Sequence, residues 1–513
     1  MPSRRRRLLS RLALACAASA VAVLGLEVAI RLVDGYRVFA LRLQPAGVAS
    51  AAVPRAAEAQ VAKFLADPRL ATAGLDPAWF GDSPPPVPRR ALPAAMAATF
   101  RDGYHEMFLY QWNEVLVRAT WVPGIGPPTA LDVDKPDAFW VFAPVDGQPV
   151  PRYRFPTGVT LPTGMTLNAF GCRGRELAAD KPARTVRIAC VGASTTVDDQ
   201  TIPHGYPGLL EHFLQRWAAA RGLDLKIEVL NAGCEGYTSA DIVPTVRHYV
   251  LPLAVDYVVY YEGANQLHRE QLLRHVAIDG EVPPPPALGG LFDPTAAATR
   301  GGWLYRNSAA VRRLHTVGAG EPLAEPPKPA QRLVLPDGLA DTVDLARAGE
   351  VLGLGDILAD LDRIRTDVSA AGARLVLGSF KHFVRDGLVL DPVRGEQVYR
   401  LLNEFYWPVS YAHLARLAAL QNRWFEAWAA ARGVDFLAVA AALPDDGACY
   451  TDVVHKTALG SRCHAWVTAA LLIPLLERDL RAGTLPVSDD HADPRHPNVP
   501  PMRRLTAREL DGR

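Results

Sequence analysis

The chain has 513 residues, more than one ordinary domain holds, and its 49% apolar and 21% charged residues exclude wholesale disorder. Lys+Arg 55 against Asp+Glu 54 leaves a net charge of +1, which excludes the basic excess of a nucleic-acid binder. Six cysteines form no C-x-x-C pair and the histidines show no ligand spacing, so neither a metal site nor a thioredoxin-like motif is expected.

Arg4, Arg5, Arg6 and Arg7 precede an uncharged apolar stretch from Leu12 to Leu26. As a helix that stretch rises about 22 Å, short of a ~30 Å hydrocarbon core. Counting to Val33 makes it long enough, with Glu27 and Arg31 near the outer interface, four residues apart and able to pair. Residues 1–35 therefore read as a cytoplasmic Arg cluster and a signal-anchor helix. The positive cluster stays inside, which puts the rest of the chain in an extracytoplasmic place, periplasmic or extracellular. A cleaved signal ending at Ala18-Ser19-Ala20 competes, but apolar sequence continues past it. Lipoprotein processing before Cys16 is interrupted upstream by Arg11, and a buried soluble helix leaves the four arginines without a role.

Residues 36–180 carry Pro/Gly punctuation such as Ser83-Pro84-Pro85-Pro86 and short aromatic runs such as the one from Ala138 to Ala143. No helical period lasts, so an irregular, β-rich accessory region is expected there. The pattern changes in residues 181–482. Val186 to Val191 is a short apolar run ending in Gly192, a buried strand. Leu209, Leu210, Phe213, Leu214 and Trp217 follow at helical spacing, and Gly222 stops that helix. Ile227–Leu230 and Tyr257–Tyr261 are the second and third strands. Pro283 opens an insertion over residues 283–352, expected either to border the pocket or to be a disordered spacer. Ile357, Leu361, Ile364 and Val368 mark an amphipathic helix, and Arg374–Leu377 is the fourth strand. A helix from Leu414 to Ala431 leads to the fifth, Val434–Leu437. Strands alternating with helices imply crossover connections, hence a mainly parallel five-stranded sheet covered on both faces. Residues 483–513, with Asp489, Asp490, Asp493, Arg503 and Arg504, read as a flexible tail.

Reactive groups of such sheets sit on loops beyond the carboxyl ends of the strands. The first strand delivers Gly192-Ala193-Ser194-Thr195, the second Asn231 to Gly236, the third Glu262-Gly263-Ala264-Asn265. After the fifth comes Asp452-Val453-Val454-His455. A serine hydroxyl is a weak nucleophile until a base, itself oriented by a third group, removes its proton. Ser194 and His455 are the only serine and histidine expected at this rim with a carboxylate, Asp452, in the same loop. Backbone N–H groups at Ser194 and Gly236 and the Asn265 amide are candidate donors to a tetrahedral oxyanion. Taken singly, each piece has a plainer reading: Ser194 and Asn265 as helix caps, Asn231 as a turn residue, Glu262 as a solvated or loop-bonding carboxylate, His455 as a loop histidine. His382, after the fourth strand, reads as substrate-side or structural.

The four blocks in this order resemble the SGNH hydrolase superfamily, or GDSL-type esterases and lipases, across roughly residues 165–480. The resemblance implies a flavodoxin-like three-layer α/β/α sandwich. It implies Ser194 as nucleophile, His455 as general base, Asp452 as its orienting carboxylate, and Gly236 and Asn265 as oxyanion donors. The first block departs from the name motif by having Ala193 where Gly-Asp-Ser places aspartate, a position outside the triad. Asn168-Ala-Phe-Gly171-Cys-Arg173-Gly174 is similar to the lead-in of membrane-anchored bacterial members. The expected function is ester hydrolysis without a cofactor, on an acyl ester or acylated glycan or lipid. The alternatives are acyl transfer to a cell-envelope polysaccharide by the same site and a catalytically silent glycan-binding or assembly protein. Export permits disulfides, and Cys449 with Cys463, which bracket the Asp452–His455 loop, is the first candidate pair. Cys172 with Cys234 is the second, and Cys190 is a core residue.

Overall fold

In the computed structural model, residues 4–44, 55–71, 74–92, 138–142, 155–265, 277–279, 302–319, 332–334, 343–350, 353–384, 388, 390–391, 393–398, 401–402, 411–486 and 502–506 are described. In chain order the strands are β1 (Ala138–Phe142), β2 (Thr185–Gly192), β3 (Lys226–Gly233), β4 (Tyr257–Tyr261), β5 (Ala277–Asp279), β6 (Arg332–Val334), β7 (Arg374–Gly378), β8 (Asp435–Leu437) and β9 (Met502–Thr506).

Five of these form one sheet in the order β3-β2-β4-β7-β8, every neighbouring pair parallel. All eight residues of β2 and all five of β4 are buried, which is why these strands read as continuous apolar runs rather than as alternations. Helices Tyr206–Ala220, Leu354–Ala370, Tyr411–Arg432 and Ala458–Arg481 connect and cover the strands, completing an α/β/α sandwich. The exception inside β2 is Arg187. It lies directly opposite Glu228 of β3, and the pair is bonded at 2.8 Å with both side chains buried. Lys181 and Asp256 make a second buried pair at 2.8 Å, and Asp256 also accepts from the Arg187 backbone N–H. The pairs belong to a wider buried network, since Glu228 also meets Lys226 at 2.8 Å and Arg187 also donates to the Leu253 carbonyl.

The accessory region is less irregular than its sequence suggests. Arg55–Leu65 is a helix whose Phe64 joins the main core, with Val61 and Leu65 packed against it. Three apolar residues at i, i+3, i+4 give too little periodicity to stand out, and it is the contact with the core that fixes them. Phe80 sets its ring edge-on to Trp466 of the last long helix, centroids 5.6 Å apart. Residues 155–180 contribute Phe155, Val159, Leu161, Met165 and Leu167 to the same core. The aromatic run at Ala138–Phe142 is a strand, and its antiparallel partner is β9. The tail is thus not wholly a free end: Met502–Thr506 has the length and composition of a strand and finds a ladder.

The N-terminal helix, Arg4–Val33, is exposed along its apolar length. Ala458–Arg481 is of similar length but is mostly buried as a core helix. Arg31 does pair with Glu27, Nε to Oε1 at 2.7 Å. Helices Gly302–Asn307 and Ala309–Ala319, within the insertion, pack at this end of the N-terminal helix. Neither expectation for the insertion describes residues 302–319, which neither line the cavity described below nor form a bare spacer.

Candidate active site

The turn that carries Ser194 follows from close backbone packing. At Gly233, the last residue of β3, a Cβ would stand 2.4 Å from the Val197 backbone nitrogen. Only glycine lets the short helix Ser194–Val197 sit against the neighbouring strand end. Thr196 Oγ1 donates to the Tyr261 carbonyl at 3.1 Å, tying the same turn to β4. Ala193, not Ser194, occupies the N-cap position, so the Ser194 hydroxyl is not used as a cap.

That hydroxyl meets His455: Ser194 Oγ lies 2.8 Å from His455 Nε2. On the other side of the ring, Nδ1 is 2.6 Å from Asp452 Oδ2. The Asp-x-x-His spacing works because Asp452 Oδ1 accepts the backbone N–H groups of Val454 (2.8 Å) and His455 (2.7 Å), closing a turn under the imidazole. Thr451 N–H donates to the His455 carbonyl at 2.9 Å, clamping the turn's ends. Burial alone would raise the Asp452 carboxyl, but the adjacent imidazole and the two N–H donors hold it below its ordinary value. Burial alone would lower His455. The Asp452 carboxylate, with help from Glu235, outweighs that and pushes the imidazole above its ordinary value. The His455 side chain is 43% exposed, which weakens the burial contribution and leaves Asp452 in control of the direction.

Ser194, Asp452 and His455 line one cavity of about 330 Å³ together with Thr163, Asp198, Asp199, Gln200, Thr201, Glu235 and Thr451. Gly236, next to Glu235, holds φ at +68°, a conformation glycine adopts without strain. Asn265 donates its amide to the Tyr237 carbonyl at 2.8 Å, joining the loops after β3 and β4 and leaving a second amide hydrogen. Neither residue lines the cavity itself. Glu262 is fully buried rather than solvated. It accepts from the N–H groups of Ala264 and Asn265, both at 2.8 Å, and burial raises it to about 7. Asn231 is a turn residue, its Oδ1 accepting from Gly233 N–H at 3.2 Å. His382 is buried against the Phe380 ring, 5.0 Å between centroids, and burial depresses it to about 3. It does not touch the cavity.

Three further residues of the site were given no individual role by the sequence, although Arg173 lies in the lead-in motif. Lys456, immediately after His455, is buried behind the turn that carries Ser194. Its ammonium donates to the Thr195 carbonyl at 2.9 Å and faces Asp198 at 3.9 Å. Burial raises Glu235, at the cavity wall, to about 7. Arg173 belongs to the lead-in motif and donates to four carbonyls, those of Val197, Asp198, Asp199 and Ile202, at 2.6–3.1 Å. It is the clamp on the loop that leaves Ser194. Arg173→Met is expected to misplace Ser194 and lower kcat by about 10²-fold, with KM changed much less. Steady-state kinetics on an intact, folded variant checks this, and an unchanged kcat would refute it. No side-chain pattern could have announced the hydrogen bonds of Arg173 and Lys456, since these go to backbone carbonyls of another loop.

The cysteines stand differently from the expected bridge. Cys449 and Cys463 come together beside the Asp452–His455 loop as buried thiols, and the contact between them drives Cys463 well above its ordinary value. Cys172 and Cys234 line one small cleft behind the β3 loop, and Cys190 is a core residue. Among the described residues no group of three or more His, Cys, Asp or Glu side chains is arranged to hold a metal ion.

No protein-family model matches the sequence, and no curated protein matches it. Solved structures similar to this chain include an acetyl xylan esterase from Geobacillus stearothermophilus, at 12% identity and a TM-score of 0.30 over 57% of this chain and 97% of that one. A lipase/acylhydrolase from Enterococcus faecalis matches at 13% identity and 0.30, over 57% and 96%. A putative lipolytic protein of the G-D-S-L family from Desulfitobacterium hafniense matches at 10% and 0.29, over 56% and 99%. In its five-stranded parallel sandwich and in the order of its site residues along the chain, the protein resembles the SGNH hydrolase superfamily.

Proposed function

We propose that this protein is a serine ester hydrolase of the SGNH type, held at a membrane by its N-terminal helix with the α/β domain outside the cytoplasm. The observation that carries the reading is the unbroken chain Ser194 Oγ to His455 Nε2 and His455 Nδ1 to Asp452 Oδ2, 2.8 and 2.6 Å long, inside a cavity. Ser194 Oγ attacks the ester carbonyl while His455 Nε2 takes its proton, and Asp452 holds the tautomer and stabilises the imidazolium. The carbonyl oxygen becomes an oxyanion for which the Ser194 N–H at the cavity wall is the first donor, with the Gly236 N–H and the second Asn265 amide hydrogen, just outside the described lining, as the further candidates. His455 returns the proton to the departing alcohol, leaving an acyl-enzyme on Ser194. It then deprotonates a water that releases the acid and regenerates the hydroxyl.

The described cavity lining contains no large apolar side chain and offers Thr163, Gln200 and Thr201 hydroxyl and amide groups. Such a wall suits a short acyl group on a hydroxyl-rich alcohol, as in an acylated envelope glycan, better than a long chain. The test is a panel of aryl esters of increasing acyl length and acetylated oligosaccharides given to the purified full chain, with fluorophosphonate labelling of Ser194. Labelling with turnover falling as the acyl group lengthens is expected. Product formation that needs a sugar acceptor instead of water would make the protein an O-acyltransferase. Absence of labelling in folded protein would leave a non-catalytic binding protein.

A further inference from the structure

Among the described residues, every large apolar side chain that is strongly exposed lies in one of three places. The first is the N-terminal helix from Leu12 to Val33. The second is the turn after it, with Phe39 100% and Leu41 96% exposed. The third is the helix pair 302–319, with Trp303 74%, Leu304 57%, Leu314 74% and Val317 90% exposed. Among its described residues the α/β domain contributes none. An apolar surface of this kind marks a partner rather than solvent.

The three places are bolted together at a single level. Glu27 Oε1 and Oε2 accept from Ser308 Oγ and from the first N–H groups of helix Ala309–Ala319, those of Ala309 and Ala310, at 2.8–2.9 Å. The Arg31 guanidinium donates to the carbonyls of Arg37, Val38 and Ala40 and, at 2.9 Å, to that of Asn307. Arg313 pairs with Asp34, and Arg312 with Asp391 of the α/β domain. A separate small core of Tyr36, Leu43, Ala309 and Val393, with Ile30 against it, fills the junction. Helix Ala309–Ala319 is two-sided: Ala309 and Arg312 are buried in the junction, while Leu314, about 200° around the helix from Arg312, and Val317 face away.

We propose that helices 302–319 and the turn 36–43 form a collar seated in the interfacial layer of the outer leaflet, a second membrane contact that fixes the attitude of the α/β domain. The proposal rests on the reading of the N-terminal helix as an anchor. Its occupant is the lipid surface, for three reasons. The exposed face is continuous with the exposed apolar face of the anchor. It stands at Glu27–Val33, where roughly 30 Å of helical rise from Arg11 has brought the chain to the headgroups. Its composition, a tryptophan with aliphatic residues beside the exposed Arg37 and Arg42, is that of an interfacial element facing phosphates.

The test uses the full chain in vesicles of phosphatidylcholine with a minor share of phosphatidylglycerol. Cys16, the one exposed thiol among the described residues, is replaced by Cys16→Ser, and single labels are placed by Trp303→Cys, Leu314→Cys, Val21→Cys and Asp224→Cys. The environment-sensitive dye NBD is read against nitroxide lipids. Labels at 303 and 314 are expected to be quenched several-fold more by shallow nitroxides than the aqueous reference at 224, and the label at 21 by deep ones. If 21 is quenched and 303 and 314 match 224, the anchor stands and the collar is overturned. If 21 also matches 224, the anchor reading fails and takes the collar with it. If labels at 303 and 314 are shielded from aqueous iodide but not quenched by lipid, and the shielding vanishes on dilution into more lipid, a second copy of this chain covers the face and the collar is overturned.

Discussion

Ser194→Ala and His455→Ala are each expected to lower ester turnover by roughly 10⁴–10⁶-fold while the protein stays folded. The physical basis is the single contact between them: the hydroxyl becomes a nucleophile only while Nε2, 2.8 Å away, is there to accept its proton. Neither residue belongs to the hydrophobic core; Ser194→Ala removes one side-chain hydrogen bond and His455→Ala two, those to Ser194 and Asp452, each worth about 1 kcal/mol. Far-UV circular dichroism and a thermal midpoint moved by no more than a few degrees should accompany the kinetic loss. The double variant should be no worse than the worse single one, because the two act as a unit. Near-native kcat in either single variant would end the assignment.

The pH dependence gives the second large effect. Base catalysis needs neutral His455, so activity falls as pH drops through the imidazole pKa. Because Asp452 outweighs burial and lifts that pKa, the acidic limb of kcat/KM is expected above ~6.5, the ordinary histidine value. Asp452→Asn removes the charge and replaces one acceptor by an amide that can present the wrong tautomer. It is expected to cost about 10⁴-fold in kcat and to move the limb down. Glu235→Gln should move the limb in the same direction by less, since its carboxylate also favours the protonated ring. Glu235 itself sits at about 7, so the wild-type limb should be broader than one proton predicts, the two groups titrating as a pair. A limb at or below 6.5 that ignores Asp452→Asn would contradict this account.

The sheet and the Asp452–His455 pair were legible in the sequence for one reason each. Parallel strands buried on both faces appear as unbroken apolar runs, so Val186–Val191 and Tyr257–Tyr261 stood out despite the charge at Arg187. Asp452 and His455 are joined by a turn closed within four residues, a local device that spacing can express. What stayed hidden depends on contacts across the chain. The helix Arg55–Leu65 is held by the distant core. Arg173 and Lys456 act on backbone carbonyls, which leave no mark in a residue pattern. The role of residues 302–319 depends on Glu27, some 280 positions earlier, and the strand in the tail depends on β1.

The ladder between β1 and β9 joins residues 138–142 to residues 502–506. During synthesis, β1 emerges from the ribosome long before its partner, and must wait while nearly all of the α/β sandwich is made. Shortening the chain just after residue 486 would leave the sandwich strands in place but orphan that early ribbon, so the deletion should be felt first some 360 residues upstream, around residues 138–142.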